Sequence, residues 1–416
     1  MRRLLTLTVL MCLLLVACQP AATPSPTAAP KTEAKPTEAK PAETKPAASP
    51  ATAASPAVAA SPATAASPAA AASPAASPSP AASPAAGAAP AASKPAAASA
   101  PPDPGPCVAA NATKPRESGK ARLVIGTGGT GGVFFPYGGG LARIITAKMP
   151  NTEMTAEVTG GSVDNFKLIH AEEADVGMST ADSAYDAFMG TGAYKDTGKI
   201  AGCAIANLYV SFVHVVALDG VGINSVEDMK GKRISVGSAG SSTEGAADRI
   251  LEAAGLNPRT DITRDSLSIA ESVAAMKDRK IDAFFWIGGL PTAAVTDLVT
   301  TPNMKVKFIK ADQYIPKLVE KYGPQYDAFT LPRATYAGLD ADVPGIGIGN
   351  ILFVNANMNE GLVGDLLKTI FDNLGEVQQI HPEAKSLTLE TAASRTSTPF
   401  HPGAIKFYQE KGVWKP

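Results

Sequence analysis

The chain has 416 residues, of which 45% are hydrophobic, and its formal net charge is −1 at pH 7. Its length allows two or three domains. The near-neutral charge argues against a surface that binds nucleic acid, so we expect no nucleic-acid partner.

The first residues predict a secretion signal. Arg2 and Arg3 precede an apolar run, Leu4 to Ala17, which is too short to span a bilayer as a stable helix. The run ends in Leu15-Val16-Ala17-Cys18, which resembles the lipobox of bacterial lipoproteins. We therefore expect residues 1–17 to be a signal peptide and Cys18 to be lipidated, which places the chain on the extracytoplasmic face of a bacterial membrane. An ordinary cleaved signal is the alternative.

The next segment predicts a tether. Residues 19–106 contain 21 of the 35 prolines and no aromatic residue, and Val58 is their only branched aliphatic side chain. Such a segment cannot bury enough apolar surface to offset the entropy of ordering it. Together with the lipidated cysteine, residues 18–106 are predicted to be a disordered Ala/Pro/Ser-rich spacer. Residues 107–416, which hold all 24 aromatic residues, are predicted to fold.

Two cysteines remain in the folded part, Cys107 and Cys203. An extracytoplasmic compartment permits a disulfide between them. Two separate thiols are the alternative, with Cys203 as a small buried apolar residue. The sequence leaves both open, because it does not report the distance between the two Cα atoms.

Short apolar strands alternate with helical segments in this part, which predicts an α/β fold with mainly parallel strands. The predicted strands are Arg122–Gly126, Thr155–Thr159, Ala174–Met178, Val210–Leu218 and Arg233–Val236. The predicted helices are Gly140–Lys148, Asn165–Ala171, Ala181–Met189 and Glu244–Ala254.

Two strand-to-helix loops echo one another at a spacing of 111 residues. The matching positions are Gly126, Thr127, Gly129 and Thr130 in the first loop and Gly237, Ser238, Gly240 and Ser241 in the second. Loops of this kind combine hydroxyl groups with the free backbone N–H groups of a helix start, which is an arrangement that binds anions. Two such loops on facing lobes would bind two carboxylates, or one carboxylate and another polar group.

The sequence does not favour an enzyme. Gly126 to Gly131 fits the G-x-G-x-x-G pattern, but we reject a dinucleotide site because the chain is exported and Pro136 interrupts the expected helix. Motifs for a serine nucleophile, a zinc protease or a redox cysteine pair are missing from the sequence, and its four histidines are not at ligand spacing. We therefore predict no catalytic residues, no metal and no cofactor.

Several motifs resemble, in order, those of the TAXI family of solute receptors, which serve tripartite ATP-independent periplasmic (TRAP) transporters. They are Ile125–Gly132, Gly160–Asn165, Ala174–Gly177, Asp228–Gly237, Asp282–Pro291 and His401–Tyr408. The resemblance covers about residues 121–414 and implies a type II periplasmic-binding-protein fold with a ligand cleft between two α/β lobes. Lobe one would be about 120–212 plus 352–416, and lobe two about 213–351, with crossovers at Phe212–Leu218 and Ile346–Asn355.

The family also implies hinge closure on a small carboxylate, such as glutamate or 2-oxoglutarate, and delivery to TRAP permease subunits. The ligand-binding residues expected in lobe one are Thr127, Gly128, Gly129, Thr130, Phe135, Ser162, Asn165, Thr180 and Asp182. Those expected in lobe two are Ser238, Ser241, Ser242, Thr243, Trp286, Gly289, Leu290 and Pro291.

One departure from the family concerns Phe134 and Phe135, where many members carry tyrosines. The lost phenol donor puts glutamate itself in doubt. Two other functions stay open at this point. One is an enzyme on the same scaffold, of the thiamine-pyrimidine-synthase type, which needs a reactive Cys or His at the cleft. The other is a ligand-binding sensor that feeds no transporter.

Overall fold

The structure is a computed structural model that describes Cys107 and residues 121–415. The predicted signal peptide, the lipidation site Cys18 and the predicted tether 18–106 lie outside the described residues. Of the helices that are described, none combines the length and the apolar character that a bilayer span requires.

The described strands form one sheet that extends through both halves of the folded part. Its strands are β1 (Ala121–Gly126), β2 (Thr152–Glu157), β3 (Val176–Thr180), β4 (Gly202–Leu218), β5 (Arg233–Ser235), β6 (Thr263–Asp265), β7 (Ala283–Gly288), β8 (Val306–Phe308), β9 (Asp327–Leu331) and β10 (Val343–Asn355). Their order is β2-β1-β3-β10-β4-β7-β5-β6, with β8 on β4 and β9 on β10.

Helices connect and cover these strands. They are α1 (Phe134–Lys148), α2 (Ser162–His170), α3 (Ala181–Met189), α4 (Ser242–Ala253), α5 (Ile269–Lys277), α6 (Ala293–Thr300), α7 (Ile315–Tyr322), α8 (Glu360–Asp372), α9 (Leu374–Val377), α10 (Leu389–Ala392) and α11 (Pro402–Glu410). Short 3₁₀ segments lie at Gly192–Tyr194, Glu227–Met229, Asp312–Tyr314 and Pro382–Ser386.

Two long strands, β4 and β10, join two lobes. The first part of β4 pairs with β10 from Gly202 to Phe212, and the second part pairs with β7 from Phe212 to Ala217. In β10, residues 350–354 pair with β3 and residues 343–347 pair with β9. Each strand therefore belongs to both lobes, and the expectation of an α/β fold with two lobes and two crossing segments is confirmed.

Strand direction differs from the sequence expectation at the centre of the sheet. The pairs of β1 with β2 and β3, and of β5 with β6 and β7, are parallel as expected. In contrast, β4 and β10 run antiparallel to the strands beside them. The reason is topological, since one segment crosses to lobe two and the other returns, so that the two run in opposite directions.

Each lobe has its own hydrophobic core. One core combines side chains between Leu123 and Tyr209 with side chains between Ile351 and Tyr408. Two further clusters use residues between Phe212 and Ile348. Nearly every residue of β4 is buried, which fits its long apolar and β-branched sequence, because a central strand is covered on both faces.

Some elements begin earlier than the sequence predicts. Helix α1 begins at Phe134, six residues before the expected Gly140, so Pro136 lies in the first turn and does not interrupt it. A proline is tolerated there because the N–H groups of the first turn have no partner within the helix. Strand β4 begins at Gly202, eight residues before the predicted Val210.

The structure contains the disulfide that the sequence left open. Cys107 and Cys203 are bonded, and their Cα atoms are 5.9 Å apart. Both side chains are fully buried, with Ala356 in the same small cluster. The bond attaches the beginning of the folded part to the first residues of β4, at the end of lobe one.

Candidate functional site

A cavity lies between the two lobes, where strands β1, β3, β5 and β7 end. Its empty volume is about 510 Å³, including the open mouth. Ligands of open α/β sheets bind at the carboxyl ends of the strands, so this is the expected place for a site. The lining residues are Gly128, Gly129, Gly132, Val133, Phe134, Gly160, Gly161, Ser162, Thr180, Tyr209, Ser211, Ser238, Ser241, Ser242, Thr243, Ser268, Ile269, Trp286, Ile287 and Gly288.

Lobe one forms its wall largely from backbone. The glycine loop, residues 127–133, contributes three glycines and Val133 to the lining. Glycine is required at Gly132, because a Cβ atom there would lie 2.9 Å from two ring carbons of Trp286, which belongs to lobe two. The glycine loop therefore lets the two lobes approach closely at Trp286.

Lobe two forms its wall largely from hydroxyl groups. The serine loop, residues 236–243, contributes Ser238, Ser241, Ser242 and Thr243. The Ser241 hydroxyl donates to the carbonyl oxygen of Ser238 at 2.7 Å and caps α4 by accepting from the Glu244 N–H. The Thr243 oxygen accepts from the Ile287 N–H at 3.2 Å, which leaves the Thr243 O–H as a donor.

Several helices begin at the cavity. The first residues of α1, α2, α4 and α5 line it, as does Thr180, which precedes α3. The N-cap residues of α1, α2 and α3 make no side-chain cap, so most of the first N–H groups are free. The exceptions are the Asp164 N–H, which donates to Gly240, and the Ser183 N–H, which donates to Asp182. The positive ends of these helix dipoles and their free N–H groups favour a negatively charged ligand.

The lining itself carries no formal charge. All of its side chains are glycine, aliphatic, aromatic or hydroxyl. A ligand anion would therefore meet neither an opposing carboxylate nor a cationic partner among these residues. The local dipoles of N–H and O–H groups are what the cavity offers to an anion.

The two lobes meet through hydroxyl groups at the cavity. The Ser162 hydroxyl of lobe one donates to the Ser242 oxygen of lobe two at 3.3 Å, and accepts from the Thr180 N–H at 3.1 Å. Nearby, the Asp164 N–H donates to the carbonyl oxygen of Gly240 across the cleft at 3.1 Å. These contacts place the donors of both lobes around the same cavity.

Tyr209 is a lining residue that the sequence analysis missed. It lies on β4 with its side chain 5% exposed, and its hydroxyl group has no hydrogen-bond partner. A buried polar group without a partner carries an energetic cost, so this hydroxyl is suited to bind a ligand group. Ser211 lies two residues further along β4 and also lines the cavity, as the alternation of a strand dictates.

Two predicted binding residues of lobe one form hydrogen bonds to backbone groups at the ends of strands. Thr127 is fully buried, and both its N–H and its hydroxyl donate to the carbonyl oxygen of Glu157. The Asn165 amide donates to the carbonyl oxygens of Thr127 and Met178, at 2.7 Å each. Neither residue lines the cavity, since these bonds turn their polar groups toward the ends of β1 and β3.

Asp182 lies behind the cavity wall. Its Oδ1 accepts from the Thr180 hydroxyl at 2.5 Å and from the Ser183 N–H at 2.8 Å. Burial raises the pKa of this carboxyl group, and the charge of Arg249 opposes that shift. Arg249, on lobe two, pairs with Asp186 of α3, so Asp182 lies beside a contact between the lobes. Its link to the cavity is the hydrogen bond from Thr180, which is a lining residue.

Local geometry explains why the other predicted residues do not line the cavity. Thr130 points to solvent, and Phe135 lies beside Phe134, which takes the cavity position at the start of α1. In lobe two, Gly288 lines the cavity, whereas Gly289, Leu290 and Pro291 continue beyond it, with Pro291 exposed. The predicted residues that do line it are Gly128, Gly129, Ser162, Thr180, Ser238, Ser241, Ser242, Thr243 and Trp286.

Some of the missed residues carried a readable signal. Ser268 caps α5 in a capping box with Glu271, and the Ser-x-x-Glu spacing is visible in the sequence. Gly160 and Gly161 precede Ser162 directly, and Gly161 has φ of 126°, a backbone conformation suited to glycine. For Tyr209 the signal was only its place within an apolar strand.

The chain is similar to one protein family and to several solved structures. The profile of the NMT1-like family matches residues 125–412, more than half of the chain. Among solved structures, the chain is similar to the periplasmic aliphatic sulphonate binding protein SsuA from Escherichia coli, with 13% identity, a TM-score of 0.37, and coverage of 70% of this chain and 90% of that one.

Two further solved structures are similar at the same level. The alkanesulfonate-binding protein SsuA from Xanthomonas axonopodis pv. citri, bound to MOPS, has 16% identity and a TM-score of 0.38, over 71% of this chain and 92% of that one. The periplasmic binding protein BugD has 13% identity and a TM-score of 0.45, over 70% and 93%. Likeness at this identity concerns the fold alone.

Proposed function

The chain belongs to the NMT1-like family, and on that premise we propose that it is an extracytoplasmic solute-binding receptor whose lobes close around a small carboxylate. The observation that carries the proposal is the uncharged cavity between the lobes, which is lined by hydroxyl groups and helix starts. Each helix start contributes about 0.3–1 kcal/mol to the binding of an anion. Several of them around one volume favour a carboxylate without a cationic side chain.

The cavity also has an apolar side. Phe134, Ile269, Trp286 and Ile287 line it together with the hydroxyl groups. We therefore propose a ligand with a short carbon skeleton and one or two carboxylates, in the class of glutamate and 2-oxoglutarate. The unpartnered Tyr209 hydroxyl supplies a phenol donor, the group that Phe134 and Phe135 do not supply.

For the partner, we propose the permease subunits of a TRAP-type secondary transporter, in keeping with the TAXI-like motifs. A lipid anchor at Cys18 and a spacer of residues 18–106 would keep the receptor beside that permease and raise its local concentration. An ABC-type import system is the competing partner. A sensor that feeds no transporter differs from both, because it would bind the ligand without any transport.

The enzyme alternative required a reactive Cys or His at the cleft. Cys203 is bonded to Cys107, and His214 is fully buried, with burial lowering its pKa to about 4. The His214 ring contacts the backbone carbonyl of Phe212 and the Tyr336 hydroxyl. Both residues thus have structural partners, and we favour the receptor.

Ligand binding is tested with the purified full chain. We expect 2-oxoglutarate or glutamate to raise its thermal midpoint, with about 2.7 kcal/mol of stabilisation at a hundredfold excess over Kd. The diamide of 2-oxoglutarate, which has the same skeleton without charge, is the matched control and should leave the midpoint unchanged. If a broad set of small carboxylates produced no shift, the proposal would be overturned.

The partner is tested by transport. Cells that carry the receptor and its genomic neighbour permease should accumulate labelled ligand after ATP depletion and lose uptake when the ion gradients are collapsed. Uptake that stops on ATP depletion while the gradients persist would identify an ABC-type partner instead. Binding without any uptake would identify a sensor.

A further inference from the structure

Glu383 connects the two lobes at a place that the cavity does not include. It lies in the 3₁₀ segment Pro382–Ser386, in the C-terminal part of lobe one. Its Oε1 accepts a hydrogen bond from the backbone N–H of Leu290, which belongs to lobe two. Leu290 follows Gly288 by two residues and Trp286 by four, and both of these line the cavity. Glu383 therefore holds the chain segment that forms one wall of the cavity.

The contact is close and leaves no spare room. A Cβ atom on Gly289 would lie 2.6 Å from Cγ of Glu383 and 2.9 Å from Cε2 of Tyr209. Glycine at this position allows the loop after β7 to pack directly against the glutamate and the crossing strand β4. If the lobes moved apart, the carboxyl group would lose both the Leu290 N–H and the cover of this loop.

Three tyrosines from three segments lie close enough to Glu383 for its charge to act on them. They are Tyr137 of α1, Tyr209 of β4 and Tyr336 of the segment after β9, whose pKa values are raised by burial and also by the charge of Glu383. The hydroxyl groups of Tyr137 and Tyr209 are buried without partners. On its own segment, His381 accepts from the Glu383 N–H through Nδ1 at 3.1 Å, and burial lowers the pKa of that histidine.

These surroundings disfavour a negative charge on the carboxyl group. Burial raises the pKa of Glu383 to about 7, and the hydrogen bond from Leu290 opposes that shift. When the lobes separate, water returns to the carboxyl group and its pKa falls back toward its ordinary value. At pH values between that ordinary pKa and about 7, the closed form therefore binds a proton that the open form does not bind.

We propose that Glu383 is a positioning residue for ligand binding, and that its burial against the Leu290 segment of lobe two couples lobe closure to its own protonation. The proposal rests on the receptor function proposed above. The direction of the pH dependence follows from the higher pKa of the carboxyl group in the closed form. Closure, and with it ligand affinity, is favoured as pH falls through 7 and loses this contribution at higher pH.

The first test measures binding against pH with the full chain. We expect the wild-type protein to bind 2-oxoglutarate about tenfold more tightly at pH 6 than at pH 8, and to take up about half a proton per ligand at pH 7. Calorimetry in buffers of different ionisation enthalpy measures both. Glu383→Gln should abolish the pH dependence and the proton uptake. Glu390→Gln, an exposed glutamate on α10, is the matched control and should retain both.

A second measurement does not depend on the ligand. Spin labels at Thr155 and Thr263, exposed positions on the edge strands β2 and β6, report the distance between the lobes. In the ligand-free wild type we expect this distance to lengthen from pH 6 to pH 8, and in Glu383→Gln to stay constant. A wild-type distance that does not change with pH would overturn the coupling of lobe closure to protonation of Glu383, even if every carboxylate failed to bind. Tight binding without pH dependence would overturn it while leaving the receptor function intact.

Discussion

The glycine loop of lobe one and the serine loop of lobe two have similar sequences and opposite roles. Both follow a parallel strand and precede a helix that begins at the cavity. In the glycine loop, the hydroxyl groups of Thr127 and Thr130 point away from the cavity, one into the protein and one to solvent. In the serine loop, Ser238 and Ser241 line the cavity, as do the residues after them.

The difference shows how one cavity is shared between two lobes. The glycine loop supplies backbone and permits the close approach of Trp286, while the serine loop supplies hydroxyl groups. Close approach in one lobe and polar donors in the other are complementary, because donors bind an anion well only where water is excluded. Substitutions in the glycine loop should therefore change the free energy of lobe closure. Substitutions in the serine loop should instead remove contacts with the ligand.

The largest effect is expected for Gly132→Ala. The added methyl group would lie 2.9 Å from the Trp286 ring, which is also held by its Nε1–H bond to Thr292 at 3.0 Å. Closure then costs about 2 kcal/mol, and Kd for the ligand should rise roughly thirtyfold. Calorimetric titration measures it.

Gly139→Ala is the control for this substitution. It adds the same methyl group on α1, where no atom lies within 4 Å of it. Affinity should stay within about twofold of the wild type, and the helix should gain about 0.5–1 kcal/mol. Equal affinities for both variants would show that the lobes do not close on Trp286.

A smaller loss is expected for Ser242→Ala in the serine loop. The substitution removes a lining hydroxyl that also accepts from Ser162 across the cleft. A hydrogen bond to a charged ligand group contributes about 1.5 kcal/mol, so Kd should rise about tenfold. The same titration applies, with Ser266→Ala, an exposed serine of lobe two, as control. An unchanged Kd would remove Ser242 from the proposed anion site.

The smallest effect on binding is expected for Thr127→Val. The loss of its bond to the carbonyl oxygen of Glu157 should lower the free energy of unfolding by about 1 kcal/mol, while Kd stays within about twofold. Denaturant titration measures the first quantity and calorimetry the second. Thr130→Val, at an exposed position of the same loop, should change neither. A tenfold rise in Kd for Thr127→Val would instead make its hydroxyl a ligand contact.

Much of the fold could be predicted from local patterns. Alternating apolar segments indicated the α/β class, and β1, α3 and the serine loop lie where the sequence places them. The full length of β4 was missed because its first residues, from Gly202 to Ala206, contain few β-branched side chains and are buried in a central strand by their neighbours. Tertiary packing decided that extension.

The candidate site could be predicted in part. Composition located the loops at the ends of the strands, and nine of the predicted residues line the cavity. It could not decide the direction of each side chain, which depends on competing partners such as Glu157 for Thr127 and Thr180 for Asp182. Tyr209 lines the cavity because β4 crosses between the lobes there, which no local pattern records.

By itself, the sequence determined the α/β class, the presence of two loops rich in glycine and hydroxyl groups, and a proline-rich segment that is predicted to remain unfolded. These are properties of composition and of neighbouring residues, so they need no knowledge of distant contacts. Only the tertiary structure decided that one loop supplies backbone and the other hydroxyl groups. It also brought Glu383 to the amide of Leu290, because hydrogen bonds between segments 93 residues apart exist only after both lobes have folded.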